Sequence, residues 1–177
     1  MSIYLKSKKT DKKIIQKFIE MTNRAGNFPT ISELCYALDI DRSTFYNHFN
    51  DIEDLTWHIY VSVEEKTDFF KKNERLVSKD DFRRLIDICE ENSDKILFLF
   101  NPNNSPSIRN RIKDTIFDAV KDSVLKSKGK GSDKYTIRYI TDGIIGTMYE
   151  WLNDKSLPSQ EFSNHLYDLV MRTREIR

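Results

Sequence analysis

TISELCYALDIDRSTFYNHF, Thr30 to Phe49, decides the fold, because those residues hold two short amphipathic helices joined by a tight turn. Thr30-Ile31-Ser32-Glu33 has the form of a capping box: the Thr30 hydroxyl accepts from the Glu33 amide while the Glu33 carboxylate reaches back, so a helix is expected from Ile31. Ile31, Leu34, Cys35 and Leu38 then recur at helical spacing, an apolar face that must pack, and leave Ser32, Glu33, Tyr36 and Ala37 outside. Leu38-Asp39-Ile40-Asp41 is the turn. Asp39 stands where a left-handed residue is needed, Ile40 plugs the angle between the helices, and Asp41 is a suitable N-cap for a second helix.

The second helix, Arg42 to His48, carries Phe45 and, just beyond, Phe49 as its large apolar groups, leaving Arg42, Ser43, Thr44, Tyr46, Asn47 and His48 polar. A purely structural helix seldom exposes so many hydrogen-bonding side chains. Two such helices around a short turn are the layout of a helix-turn-helix, whose second helix enters the major groove of a DNA duplex. Arg42, Ser43 and Thr44 lie at its N-terminal end, which points at base edges, while Tyr46 and His48 reach phosphate oxygens.

The run Ile40-Asp41-Arg42-Ser43-Thr44-Phe45-Tyr46-Asn47-His48-Phe49, followed by Glu53-Asp54-Leu55, resembles the TetR family of bacterial transcriptional regulators over roughly the first third of the chain. The resemblance implies that Thr30 contacts phosphate at the start of the first reading helix. It gives Arg42, Ser43 and Thr44 the base-facing turn, Tyr46 and His48 the backbone clamp, and Phe45 and Phe49 core positions. Three positions depart from the family pattern: Asp39 replaces a usual Gly, Asp41 a frequent Ser, and Ile52 a common phosphate-binding Lys. Without that Lys each subunit makes one phosphate contact fewer, which lowers the expected salt sensitivity.

Composition agrees with an all-α protein. The chain has 177 residues, 38% hydrophobic, with only Gly 5 and Pro 4, too few breakers for an all-β chain that needs a turn about every 8–12 residues. Net charge is +1, but residues 1–24 hold Lys6, Lys8, Lys9, Lys12, Lys13, Lys17 and Arg24 against Asp11 and Glu20, a basic start ahead of the reading helices. Ile14, Ile15, Phe18, Ile19 and Thr22 form a stripe, so a first helix is expected over Asp11 to Arg24, closing a three-helix head before Gly26-Asn27-Phe28-Pro29. Cys35 and Cys89 fall on apolar helical faces and are expected to be core thiols.

Beyond Asn50 helical stripes continue: Ile52, Leu55, Ile59 and Val63 on a helix reaching about Phe70, then Phe82, Leu85, Ile86 and Cys89, then Ile96 to Phe100. Breaks are expected at Asn101 to Pro106 and at Lys128-Gly129-Lys130-Gly131, with Ile108, Ile112, Ile116, Ala119 and Val120 between them. Ile137, Ile140, Ile144, Met148 and Trp151, then Phe162, Leu166, Leu169 and Val170, mark the last two helices, joined by Lys155 to Pro158 with Pro158 placed in a first helical turn. The expected organisation is a helix-turn-helix DNA-binding domain over 1–51 and a helical domain for ligand or partner binding and dimerisation over 52–177.

The resemblance implies a homodimer through the final helix pair, with Ile140, Gly143, Ile144, Met148, Leu166, Leu169 and Val170 at its interface, bound to a palindromic operator. Gly143 and Gly146 permit close helix approach, either to a second chain or within one subunit. A repressor is expected, controlled by a small-molecule effector or a protein co-regulator of unknown identity. The segment Thr141 to Leu152, TDGIIGTMYEWL, loosely resembles a subgroup that includes activators of dihydroxyacetone metabolism acting with a protein co-regulator. Trp57, Tyr60, Phe69, Phe98, Phe100, Tyr149 and Trp151 are candidates to line a cavity, although aromatics at helical spacing more often form core.

No Gly-rich phosphate loop, GxSxG elbow, HExxH or CxxC spacing occurs, so no enzyme, cofactor or metal is expected. There is no apolar run of about 18 residues and the N-terminus is polar, so a cytoplasmic protein without a membrane segment is expected. The competing expectation is a helical interaction module or co-activator that keeps the head but does not bind DNA itself, suggested by Asp39, Asp41 and Ile52, which leave the reading edge more acidic.

Overall fold

A computed structural model of the chain describes residues 3–71, 78–101, 106–126 and 134–175, with side chains over 8–67, 78–101, 106–122 and 134–173. The expected breaks at 102–105 and 128–131, and the side chains of Lys6 and Phe69, lie outside these residues. Every described element is a helix: α1 (Ile3–Ala25), α2 (Ile31–Leu38), α3 (Arg42–Tyr46), α4 (Ile52–Lys71), α5 (Lys79–Glu91), α6 (Ser93–Phe100), α7 (Pro106–Lys126), α8 (Lys134–Asp154) and α9 (Ser159–Glu175). The expected all-α class is the observed one. None of the described helices is long and apolar enough to cross a membrane.

The chain divides into two compact units, Met1–Val63 and Glu64–Arg177, with the division inside α4 rather than after residue 51. The first turns of α4 belong with the head because Leu55 and Ile59 are completely buried and the Phe49 ring meets that of His58 edge-on at 5.3 Å. Around them Ile14, Phe18, Leu34, Phe45 and Phe49 complete the head core. Each such side chain contributes about 1.5–3 kcal/mol over its exposed state.

Two expected boundaries shift. α1 starts at Ile3, eight residues before the anticipated Asp11, because nothing from Ile3 to Asp11 interrupts a helix: there is no Gly or Pro and lysine is a good helix former. α3 ends at Tyr46 instead of His48, where the Asn47 amide bonds Ser43 O at 3.0 Å and the His48 amide bonds Phe45 O at 2.9 Å in a tighter closing turn.

In the second unit α5 begins with a capping box that the sequence pattern did not announce. Ser78 Oγ accepts from the Asp81 amide at 3.3 Å and Asp81 Oδ2 accepts from the Ser78 amide at 2.8 Å, an Asp doing the work of the usual Glu or Gln. α5 packs on α9, where Phe82 meets Tyr167 edge-on at 5.5 Å and Lys79 pairs with Asp168 at 3.2 Å. α7 packs on α8 through Arg138 over the Phe117 ring at 5.2 Å and Lys113 to Asp142 at 2.9 Å. α8 and α9 are neighbours as expected; Trp151 stacks on Phe162 at 4.4 Å, and Trp151 Nε1 donates to Leu157 O at 2.8 Å to hold the link. Pro158 lies just before α9, not inside its first turn: its carbonyl accepts from the Phe162 amide at 2.9 Å. Lys155 takes a left-handed backbone, φ 46°, to turn the chain out of α8.

Candidate nucleic-acid interface

α2 is fixed at its start by the box read from the sequence. Thr30 Oγ1 accepts from the Glu33 amide at 3.2 Å, and Glu33 Oε2 accepts from the Thr30 amide and hydroxyl, both at 2.7 Å. The Thr30 hydroxyl and amide hold the Glu33 carboxyl below its ordinary value. At the other end Asp39 is left-handed, φ 53° and ψ 50°, and the Ile40 amide returns to Cys35 O at 3.1 Å, so the turn closes as a Schellman-type cap with Asp where Gly is commonest. Asp41 has the extended backbone of an N-cap, yet its side chain caps nothing; its carbonyl alone accepts, from the Thr44 and Phe45 amides.

This frame buries Phe45 and Phe49 and turns the polar residues outward. Thr30, Arg42, Ser43 and Asn47 are exposed, Thr44 is half-buried, and Tyr46 is 53% exposed with its ring edge-on to Phe45 at 5.6 Å. Arg42 donates from its guanidinium to the Ser32 hydroxyl, tying α3 to α2 and adding Ser32 to the polar surface. Tyr36 on α2 is 90% exposed; sequence patterning placed it on the outer face without assigning it a role. His48 departs from the others. Its side chain is only 13% exposed, and Nδ1 lies 2.5 Å from Oδ1 of Asp11 on α1. Of the basic start, Lys8, Lys9, Lys12 and Lys13 are exposed, while Lys17 pairs with Glu20 at 2.8 Å.

Residues 78–172, more than half of the chain, match a family profile described as a TetR-type transcriptional regulator C-terminal region. The chain belongs to the TetR family. Among solved structures it is similar in fold to a TetR family transcriptional regulator, PfmR from Thermus thermophilus, with a TM-score of 0.59 and 16% identity over 90% of this chain and 97% of that one. It is also similar to the dihydroxyacetone kinase operon activator DhaS, with a TM-score of 0.58 and 16% identity over 94% and 96% of the two chains. Comparison with curated proteins gave no match.

In the C-terminal unit the expected dimer residues divide by exposure. Ile140, Ile144, Met148 and Leu166 are 2–7% exposed within the single chain, because their faces of α8 and α9 form its core, so they have almost no surface to give a second copy. Gly143, Leu169 and Val170 keep surface, Leu169 at 43%. Among the described residues a Cβ built on Gly143 or Gly146 would meet nothing within 4 Å, so neither glycine makes room for any of them. With Tyr135 and Tyr139, 78% and 71% exposed, these glycines share one open stripe of α8. Of the candidate cavity aromatics, Tyr60, Phe98 and Trp151 are core, Phe100 and Tyr149 half-buried and Trp57 exposed. A groove of about 200 Å³ in this unit is lined instead by Glu64, Arg111, Asp114, Thr115, Asp118, Ala119 and Asp122. Both thiols are buried and free, as expected; burial pushes Cys35 up and Cys89 up to about 12.

Proposed function

We propose that this TetR-family chain is a homodimeric DNA-binding repressor that reads a palindromic operator with α3. The observation that carries this is the sidedness of α3: Phe45 is fully buried while Arg42, Ser43, Tyr46 and Asn47 are exposed to solvent. Arg42, Ser43 and Thr44 contact base edges; Thr30, Tyr46, Asn47 and His48 hold the sugar-phosphate backbone. A single short helix reads few base pairs, so two heads held roughly 34–36 Å apart engage successive major grooves.

The second copy docks on the open stripe of α8, with Tyr135, Tyr139, Gly143 and Gly146, and on Leu169 of α9. α4, one continuous helix across the division between the units, is the lever through which a small-molecule or protein signal changes operator affinity. A coupling of about 1–3 kcal/mol, a change of roughly 5- to 150-fold, is enough. The protein is not an enzyme and works in the cytoplasm.

Selection of bound duplexes from a random pool tests this reading. Two-fold symmetric sites with half-sites about one helical turn apart are expected. Arg42→Ala then relaxes sequence preference, whereas Tyr46→Ala weakens all duplexes alike. Asp39 and Asp41, both exposed beside α3, favour a second reading, an interaction module that does not bind DNA. Failure to enrich any duplex, with a protein partner retained, would establish it.

A further inference from the structure

The Asp11–His48 contact joins two side chains 37 residues apart, one on α1 and one just past α3, at 2.5 Å in a site where they are 34% and 13% exposed. An Asp oxygen at Nδ1 is an acceptor, so the ring offers its Nδ1 proton there. That settles what the other nitrogen does. In the neutral ring Nε2 is then a bare lone pair, which repels a phosphate oxygen; only the doubly protonated ring has an Nε2–H to donate.

Building on the proposed DNA-binding role, we infer that Asp11 is the positioning residue for phosphate contact: its carboxylate takes the Nδ1–H of His48, so the ring grips the DNA backbone through Nε2–H only as imidazolium. The chain carboxylate, imidazolium, phosphate alternates in charge and makes both hydrogen bonds charge-assisted. It carries no sequence information, so it adds to affinity for every duplex.

Charged and titratable groups on the elements around the pair include Lys8 and Lys12, flanking Asp11 on α1; Glu33 on α2, held in its capping box; Arg42 on α3, bonded to Ser32; and on α4 Asp54 and His58, paired at 3.3 Å, with the His58 ring separated from His48 by Phe49. Of these, Asp11 is the one bonded to the ring.

The test measures binding of a mixed-sequence duplex by the full chain and by Asp11→Asn, Asp11→Glu and His48→Gln over about pH 5–8, together with ¹⁵N spectra of the histidine rings. Wild type is expected to bind more tightly as pH falls. Asp11→Asn is expected to weaken binding roughly tenfold at the acid end and flatten the profile; Asp11→Glu restores both, and His48→Gln binds without pH dependence. In the spectra the neutral His48 ring of the wild type carries its proton on Nδ1. An Asp11→Asn protein with wild-type affinity and profile, or a wild-type ring protonated on Nε2, overturns the inference while leaving DNA binding intact. A wild type that binds no duplex at any pH overturns the DNA-binding reading itself, and this inference with it. Should Asp11→Asn unfold, Asp11→Glu and the wild-type spectrum decide.

Discussion

Asp39 keeps a left-handed backbone at φ 53°, which an L side chain adopts only at a cost and glycine adopts freely. Asp39→Gly relieves about 1–2 kcal/mol of left-handed strain against about 0.5–1 kcal/mol of added chain entropy in the unfolded state, so it is expected to raise head stability by at most about 1 kcal/mol in denaturant melts, and to remove one negative charge beside α3. Two titrations of opposite sign belong to the same scale. The Cys89 thiol is pushed from 9.0 to about 12, so stability is fully present below the unfolded value and falls as pH rises through that window. The lowered Glu33 carboxyl contributes stability above its ordinary value and loses it as pH drops through the folded one. Thermal melts across pH should decline on both flanks, and Cys89→Ala should remove the alkaline decline that Cys89 causes.

At the scale of elements, the helices that proved legible are those whose instructions are local. α2 could be read to the residue because Thr30 and Glu33 cap each other within one turn and Asp39 ends it. α5 hid its start because its box uses Asp81, a shorter acid than the usual pattern. The fate of His48 depends on Asp11, which no short-range pattern connects to it. The same limit explains α8: its apolar stripe was visible, but whether Ile140, Ile144 and Met148 face their own chain or a second one depends on which helices pack there. The open stripe yields a test. Gly146→Ala meets nothing among the described residues and should stabilise α8 by about 1 kcal/mol. Gly146→Trp should leave the fold intact while shifting sedimentation to the monomer; an unchanged dimer would place the interface elsewhere.

For the whole molecule the two units answer to different demands. The head, Met1–Val63, needs an outward polar surface on a small buried core, and the second unit, Glu64–Arg177, has the larger core and the open α8 face. Fold class was readable at this scale because scarce Gly and Pro and helical stripes run through nearly the whole sequence. The division was less so, since α4 crosses it without a break and periodicity carries no mark at Val63.

The two tryptophans fall one to each unit. Trp57 is 42% exposed and lies 5.2 Å from the Tyr60 ring, whereas Trp151 is 3% exposed and stacked flat on Phe162. Each half of the protein thus carries its own fluorophore, one open to collisional quenchers and one sheltered from them, so the emission colour of a single sample distinguishes loosening of the N-terminal body from loosening of the C-terminal one.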